Sequence, residues 1–88
     1  MINQERLLER FLKYVQIDSP TKFERDFADY LQKEMTEMGL SVSMDNAGEK
    51  VGSNSGNLVA KLKGNTQSQP ILFSAHMDTV SPGIGIKP

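Results

Sequence analysis

The first part of the chain alternates apolar and charged residues with a helical period. One face of a helix over about 3–16 collects the apolar side chains, which are Leu7, Leu8, Phe11, Leu12 and Val15. Asn3 stands where an N-cap residue belongs. Pro20 disfavours helical geometry at Ser19, so we expect the helix to end by about Asp18.

A second helical period covers residues 22–38. Its apolar face consists of Phe23, Phe27, Tyr30, Leu31, Met35 and Met38. Thr21 and Glu24 have the spacing of a capping box, in which hydroxyl and carboxylate satisfy two free amides at the start of a helix. Gly39 follows the last turn, where a glycine can take positive φ and end the helix.

After the second helix the period shortens to two residues. Leu40, Val42 and Met44 alternate with polar residues, which predicts a half-buried strand. Residues 46–57 are rich in turn formers and predict a loop, and residues 58–63 predict a second strand. The two strands are expected to form a β-hairpin.

Residues 70–75 form an apolar run without alternation, Pro-Ile-Leu-Phe-Ser-Ala. Such runs are typical of strands buried on both faces of an α/β sheet. A strand of this kind needs helices on both faces, and both predicted helices precede it. We therefore expect the N-terminal part of an α/β domain, with two helices, a β-hairpin and a buried strand, incomplete on its own.

Composition narrows the classes of partner. The 88 residues carry 10 basic and 11 acidic side chains, and this net charge of -1 argues against a nucleic-acid partner. No apolar run approaches the ~18 residues of a membrane span. The chain has 0 cysteines, which favours a reducing, cytoplasmic setting.

The chemistry concentrates in His76 and Asp78, directly after the apolar run. If strand geometry continues, residues two apart point to the same face. The carboxyl ends of buried strands are where open α/β sheets hold ligands. Histidine is the commonest metal ligand, and a carboxylate can fix its second ring nitrogen. On spacing alone, however, a His-x-Asp pair is more often an ordinary polar pair.

The residues around His76 and Asp78 favour the metal-ligand interpretation over an ordinary polar pair. The string Pro-Ile-Leu-Phe-Ser-Ala-His-Met-Asp-Thr-Val-Ser-Pro over 70–82 resembles the first metal motif of peptidase T-like aminopeptidases, within the acetylornithine deacetylase and aminoacylase superfamily. Residues 1–20 resemble that family's first helix and turn, and residues 21–39 its second helix. Residues 83–88 resemble its Pro-Gly-x-Gly-Ile-Lys-Pro segment.

The resemblance implies that residues 1–88 are the N-terminal fragment of a zinc-peptidase catalytic domain. His76 would be a terminal ligand of one of two zinc ions, and Asp78 the aspartate that supports the catalytic machinery. The complete enzyme would remove N-terminal residues from short peptides. A homodimer is compatible with the resemblance. No other family ligand has a counterpart here, and a zinc site takes at least three protein ligands, so we expect the fragment alone to be inactive.

Two alternatives stay open. The first metal motif is shared across the superfamily, so a related metal-dependent deacylase or carboxypeptidase would carry the same residues. A non-catalytic, truncated module that associates with a partner is the alternative from another class, and an unpaired apolar strand would suit it.

Overall fold

A computed structural model describes all residues from 1 to 88, and its order of elements is helix, helix, strand, helix, strand. The elements are α1 (Gln4–Tyr14), α2 (Arg25–Glu37), β1 (Ser41–Met44), α3 (Gly48–Val51) and β2 (Leu58–Lys61). The fold is therefore α/β, as the sequence predicted.

Both long helices are confirmed, and their ends show why. The Asn3 side chain accepts a hydrogen bond from the amide of Arg6 at 3.0 Å, which caps α1. Gly39 has φ +93° and donates to the carbonyl of Thr36, while the next amide reaches that of Met35. These paired bonds form a Schellman motif, which satisfies the last carbonyls of α2.

The predicted capping box at the start of α2 is wrong. Glu24 takes the N-cap position without a side-chain cap, and Lys22 adopts φ +76°. The Asn54 side chain, distant in sequence, instead accepts from the amide of Arg25 at 3.1 Å. The hydroxyl of Thr21 has a different partner, described below. A tertiary contact therefore caps the first amide of α2, which no neighbouring side chain satisfies.

The two strands pair antiparallel, with Ser41 opposite Lys61 and Met44 opposite Leu58. The hairpin prediction is confirmed, although β2 ends two residues before the predicted boundary. Helix α2 packs against both strands. The half-buried sheet positions are those the alternation predicted, namely Val42, Met44, Leu58 and Ala60.

The predicted loop over 46–57 contains the one-turn helix α3, which sequence alternation could not reveal. Two close backbone approaches hold this segment. A Cβ on Gly48 would lie 1.6 Å from the carbonyl oxygen of Ser55, so only glycine fits there. Asp45 accepts from the amides of Ala47 at 3.0 Å and Asn57 at 2.8 Å, which closes the segment at its base.

Residues 70–75 do not form the predicted buried strand. They belong to no strand, and Ile71, Leu72 and Phe73 are 80%, 90% and 88% exposed. An apolar run becomes a buried strand only when neighbouring strands pair with it, and the sheet of this chain contains β1 and β2 alone.

The chain leaves much more surface exposed than a compact protein of its size. Its accessible surface is 7620 Å², and only four of its 88 residues are buried. A compact monomer of 9.8 kDa would expose about 5,200 Å². The apolar stripe of α1 is part of the excess, since Leu7, Leu8 and Phe11 are all more than half exposed. No helix has the length and apolar character needed to cross a membrane.

Candidate metal-ligand site

The segment that carries His76 and Asp78 is tied to the connection between α1 and α2. The Ser19 hydroxyl donates to the carbonyl of Met77 at 2.8 Å, and the amide of Thr79 donates to the carbonyl of Ser19 at 2.8 Å. Pro20 and Thr79 form a parallel β-bridge. Ser19 is 1% exposed, so these bonds are shielded from water. The bonds bring residues almost sixty positions apart into register.

Asp78 connects the two halves of the site. One of its carboxylate oxygens, Oδ2, accepts a hydrogen bond from the Thr21 hydroxyl at 2.7 Å. The other, Oδ1, lies 3.0 Å from Nδ1 of His76. Nδ1 also lies 2.8 Å from the backbone carbonyl of Asp78. The predicted proximity of His76 and Asp78 is therefore observed.

These contacts define the tautomer of His76. Both partners of Nδ1 are acceptors, a carboxylate and a carbonyl, so Nδ1 must carry the proton in the neutral ring. Nε2 then keeps its lone pair, and it makes no hydrogen bond within the chain. The side chain is 85% exposed, so this lone pair is accessible.

The hydrogen bonds also hold Asp78 ionised. The bond from Thr21 is the main cause that lowers the pKa of the Asp78 carboxyl below its usual value, and the contact with His76 acts in the same direction. Partial desolvation opposes them. A carboxylate that stays charged is the form that orients a protonated Nδ1.

The residues fit one position of a metal site. An accessible imidazole nitrogen, with the opposite nitrogen bonded to a carboxylate, is the usual arrangement of a histidine ligand. No group of three or more His, Cys, Asp or Glu side chains in the chain could hold a metal ion together. His76 can therefore supply one ligand, and any complete site needs donors from outside these residues.

Sequence reasoning found His76 and Asp78 but missed the residues that hold them. The local pattern places Ser19 after the end of the first helix and Thr21 in the cap of the second, whereas in the structure both contact residues 77–79. The side chain of Asp18 accepts from the amide of Gly85 at 2.8 Å, which ties the same turn to the C-terminal loop. No local signal marks these contacts, because each joins residues 57 or more positions apart.

Comparisons with known proteins give a consistent result. An uncharacterized protein of Bacillus subtilis, YqjE, is 46% identical over all 88 residues. The crystal structure of aminopeptidase PepT from Bacillus cereus superposes with a TM-score of 0.93 at 44% identity over 99% of the chain. The crystal structure of a tripeptidase from Staphylococcus aureus superposes with a TM-score of 0.95, at 38% identity over 100% of the chain. No family model matches the sequence.

The chain spans 24% of the length of each of these three proteins. The matched part of the two solved structures is their N-terminal portion. Identity and backbone agreement extend over essentially the whole chain, which confirms the resemblance that the motifs indicated. In sequence and in fold, the chain fits an N-terminal segment of a peptidase T-like protein.

Proposed function

We propose that the polypeptide containing this segment is a zinc-dependent aminopeptidase that hydrolyses the N-terminal bond of short peptides in the cytoplasm. The observation that carries the proposal is the orientation of His76, whose Nδ1 is held by Asp78 while Nε2 stays accessible. The similarity to an aminopeptidase and a tripeptidase supports the choice of reaction and substrate.

Each residue of the site has a distinct role in this proposal. His76 would bind one of two zinc ions through Nε2, and Asp78 would orient the ring and increase its basicity. Zinc, when bound, polarises a carbonyl and lowers the pKa of a coordinated water. Residues 77–79, fixed to Ser19, keep the two side chains in place.

The segment by itself would be inactive. It supplies one imidazole and one carboxylate, whereas a catalytic zinc site takes about three protein ligands and a general base. The remaining ligands would come from other parts of the polypeptide.

The test uses the full-length polypeptide, with a tripeptide and its N-acetylated form as substrates. We expect hydrolysis of the free tripeptide only, loss of activity on chelation, and recovery with zinc. His76→Ala should abolish zinc-dependent activity, whereas Gln69→Ala, at an exposed residue outside any helix or strand, should retain it. A wild-type protein that hydrolyses neither peptide in zinc would overturn the proposal.

The same assay separates the alternatives. Preference for the N-acetylated substrate would indicate the related deacylase, and release of the C-terminal residue a carboxypeptidase. A non-catalytic module predicts that zinc binds the wild-type chain no better than the His76→Ala variant, even after mixing with the rest of the polypeptide.

A further inference from the structure

We propose that Thr21 is a positioning residue for the metal ligand: its hydroxyl fixes the Asp78 carboxylate, and the carboxylate fixes His76 with Nε2 free to bind. This inference rests on the proposed function for the role of His76. It adds a residue from the connection between the helices, outside the His-x-Asp motif.

The geometry divides the Asp78 carboxylate between two partners. Oδ2 accepts from the Thr21 hydroxyl at 2.7 Å, and Oδ1 lies 3.0 Å from the ring of His76. The torsion that rotates a carboxylate is broad, so one partner alone orients it weakly. With Thr21 bound to one oxygen, the plane of the carboxylate is set and the other oxygen is directed at Nδ1.

Thr21 can do this because its own backbone is held on both sides. The preceding residue, Pro20, pairs with Thr79 in the parallel bridge. The following residue, Lys22, has φ +76°, and its carbonyl accepts from the amide of Asn54 at 3.0 Å. A residue other than glycine keeps this left-handed conformation only where its surroundings enforce it. The position of the Thr21 hydroxyl is therefore set by backbone contacts and not by its hydrogen bond to Asp78.

The backbone of the motif is fixed from the same turn. The Ser19 carbonyl accepts from both the amide of Thr79 at 2.8 Å and its hydroxyl at 3.2 Å. Ser19 thus fixes the main chain around Asp78, while Thr21 fixes its side chain. This division predicts that removing the Thr21 hydroxyl frees the carboxylate and leaves the backbone register intact.

The tautomer of His76 reports directly whether the Asp78 carboxylate is oriented toward Nδ1. It can be measured without overlap, because the chain contains a single histidine. A long-range ¹H–¹⁵N spectrum of the labelled chain, recorded under alkaline conditions in which the ring is neutral, shows which nitrogen carries the proton. Thr21→Val removes the hydroxyl at nearly constant shape, and Thr21→Ser retains it. Asp78→Ala is the reference for complete loss of the carboxylate.

We expect the Nδ1–H form to predominate in the wild-type chain and in Thr21→Ser. Thr21→Val should shift the population toward the mixture found in Asp78→Ala, with unchanged helix content by circular dichroism. In the full-length polypeptide the same variant should weaken zinc binding about 10- to 100-fold, as is usual for groups that support a ligand.

The outcomes separate this inference from the proposed function. An unchanged tautomer in a folded Thr21→Val chain would overturn the positioning role, whatever the protein binds. If the Nδ1–H form of His76 is lost in Thr21→Val and equally in Thr21→Ser, which retains the hydroxyl, the positioning role is overturned too. A tautomer shift in the Thr21→Val chain, together with a full-length wild-type protein that binds no zinc, would support the role of Thr21 and refute the peptidase function.

Discussion

Tyr14 joins the two long helices, and its hydroxyl gives a measurable prediction. The hydroxyl donates to the carboxylate of Glu34, which also lies 3.5 Å from Nε of Arg10. The ring packs edge-on against Phe27 and Tyr30, with centroids 5.6 and 6.0 Å away. Tyr14→Phe removes the hydroxyl and keeps the ring, so it isolates the hydrogen bond.

The pKa shift of Tyr14 limits how much its hydroxyl can contribute to the free energy of unfolding. Burial, and then the hydrogen bond to Glu34, raise this pKa from 10.0 to about 12. Two units correspond to about 2.7 kcal/mol as an upper bound. Because Tyr14 is only half-buried, solvent screening reduces the contribution to about 1 kcal/mol, the usual net value of one hydrogen bond.

The sign of the pH dependence follows from the direction of the shift. A raised pKa means that the folded state favours the neutral phenol, so this stabilisation is fully present below pH 10. It is lost as the pH rises from 10 to about 12, the folded-state pKa of Tyr14. The wild-type chain should lose stability in this window, and Tyr14→Phe should lose less.

Thermal and urea unfolding followed by circular dichroism measure the effect. At pH 7 we expect Tyr14→Phe to lower the melting temperature by about 4–8 °C, the shift that 1 kcal/mol produces in a domain of this size. Tyr30→Phe is the matched control, since its hydroxyl donates to no carboxylate. Equal stability of wild type and Tyr14→Phe at pH 7, or a Tyr14 absorbance titration centred at pH 10, would refute the reasoning.

Three further predictions concern other parts of the chain. Gly48→Ala should lower the free energy of unfolding by about 2 kcal/mol, because its Cβ meets the Ser55 carbonyl, whereas Gly64→Ala, with no atom within 4 Å, should not destabilise in the same urea titration. The pKa of Asp45 is lowered from 3.8 chiefly by amide hydrogen bonds, so the stability it contributes above that pH is lost as the pH falls through its folded-state pKa. Asp45→Asn should therefore flatten acid unfolding followed by circular dichroism; an unchanged acid limb would contradict this. Phe73→Lys should reduce self-association in sedimentation velocity, because residues 71–73 present an exposed apolar surface, and equal association of both proteins would count against it.

The sequence by itself determined the features that depend on neighbouring residues. The start of α1 at its Asn3 cap, the glycine stop after α2 and the half-buried positions within β1 and β2 all follow from periodicity and capping within a few residues. The pairing of His76 with Asp78 was also predictable, because it needs only the spacing of two residues along the chain. The resemblance to peptidase T-like proteins came from the same local motifs.

Only the tertiary structure decided which distant residues complete these features. Thr21 has the local spacing of a cap, yet its hydroxyl donates to Asp78, and the start of α2 is capped at the amide of Arg25 by Asn54. The run over 70–75 has the composition of a buried strand, yet it is exposed where no strand pairs with it. Periodicity reports which face of a segment is apolar, whereas the partner of that face depends on contacts between residues far apart in the chain, which no local pattern encodes.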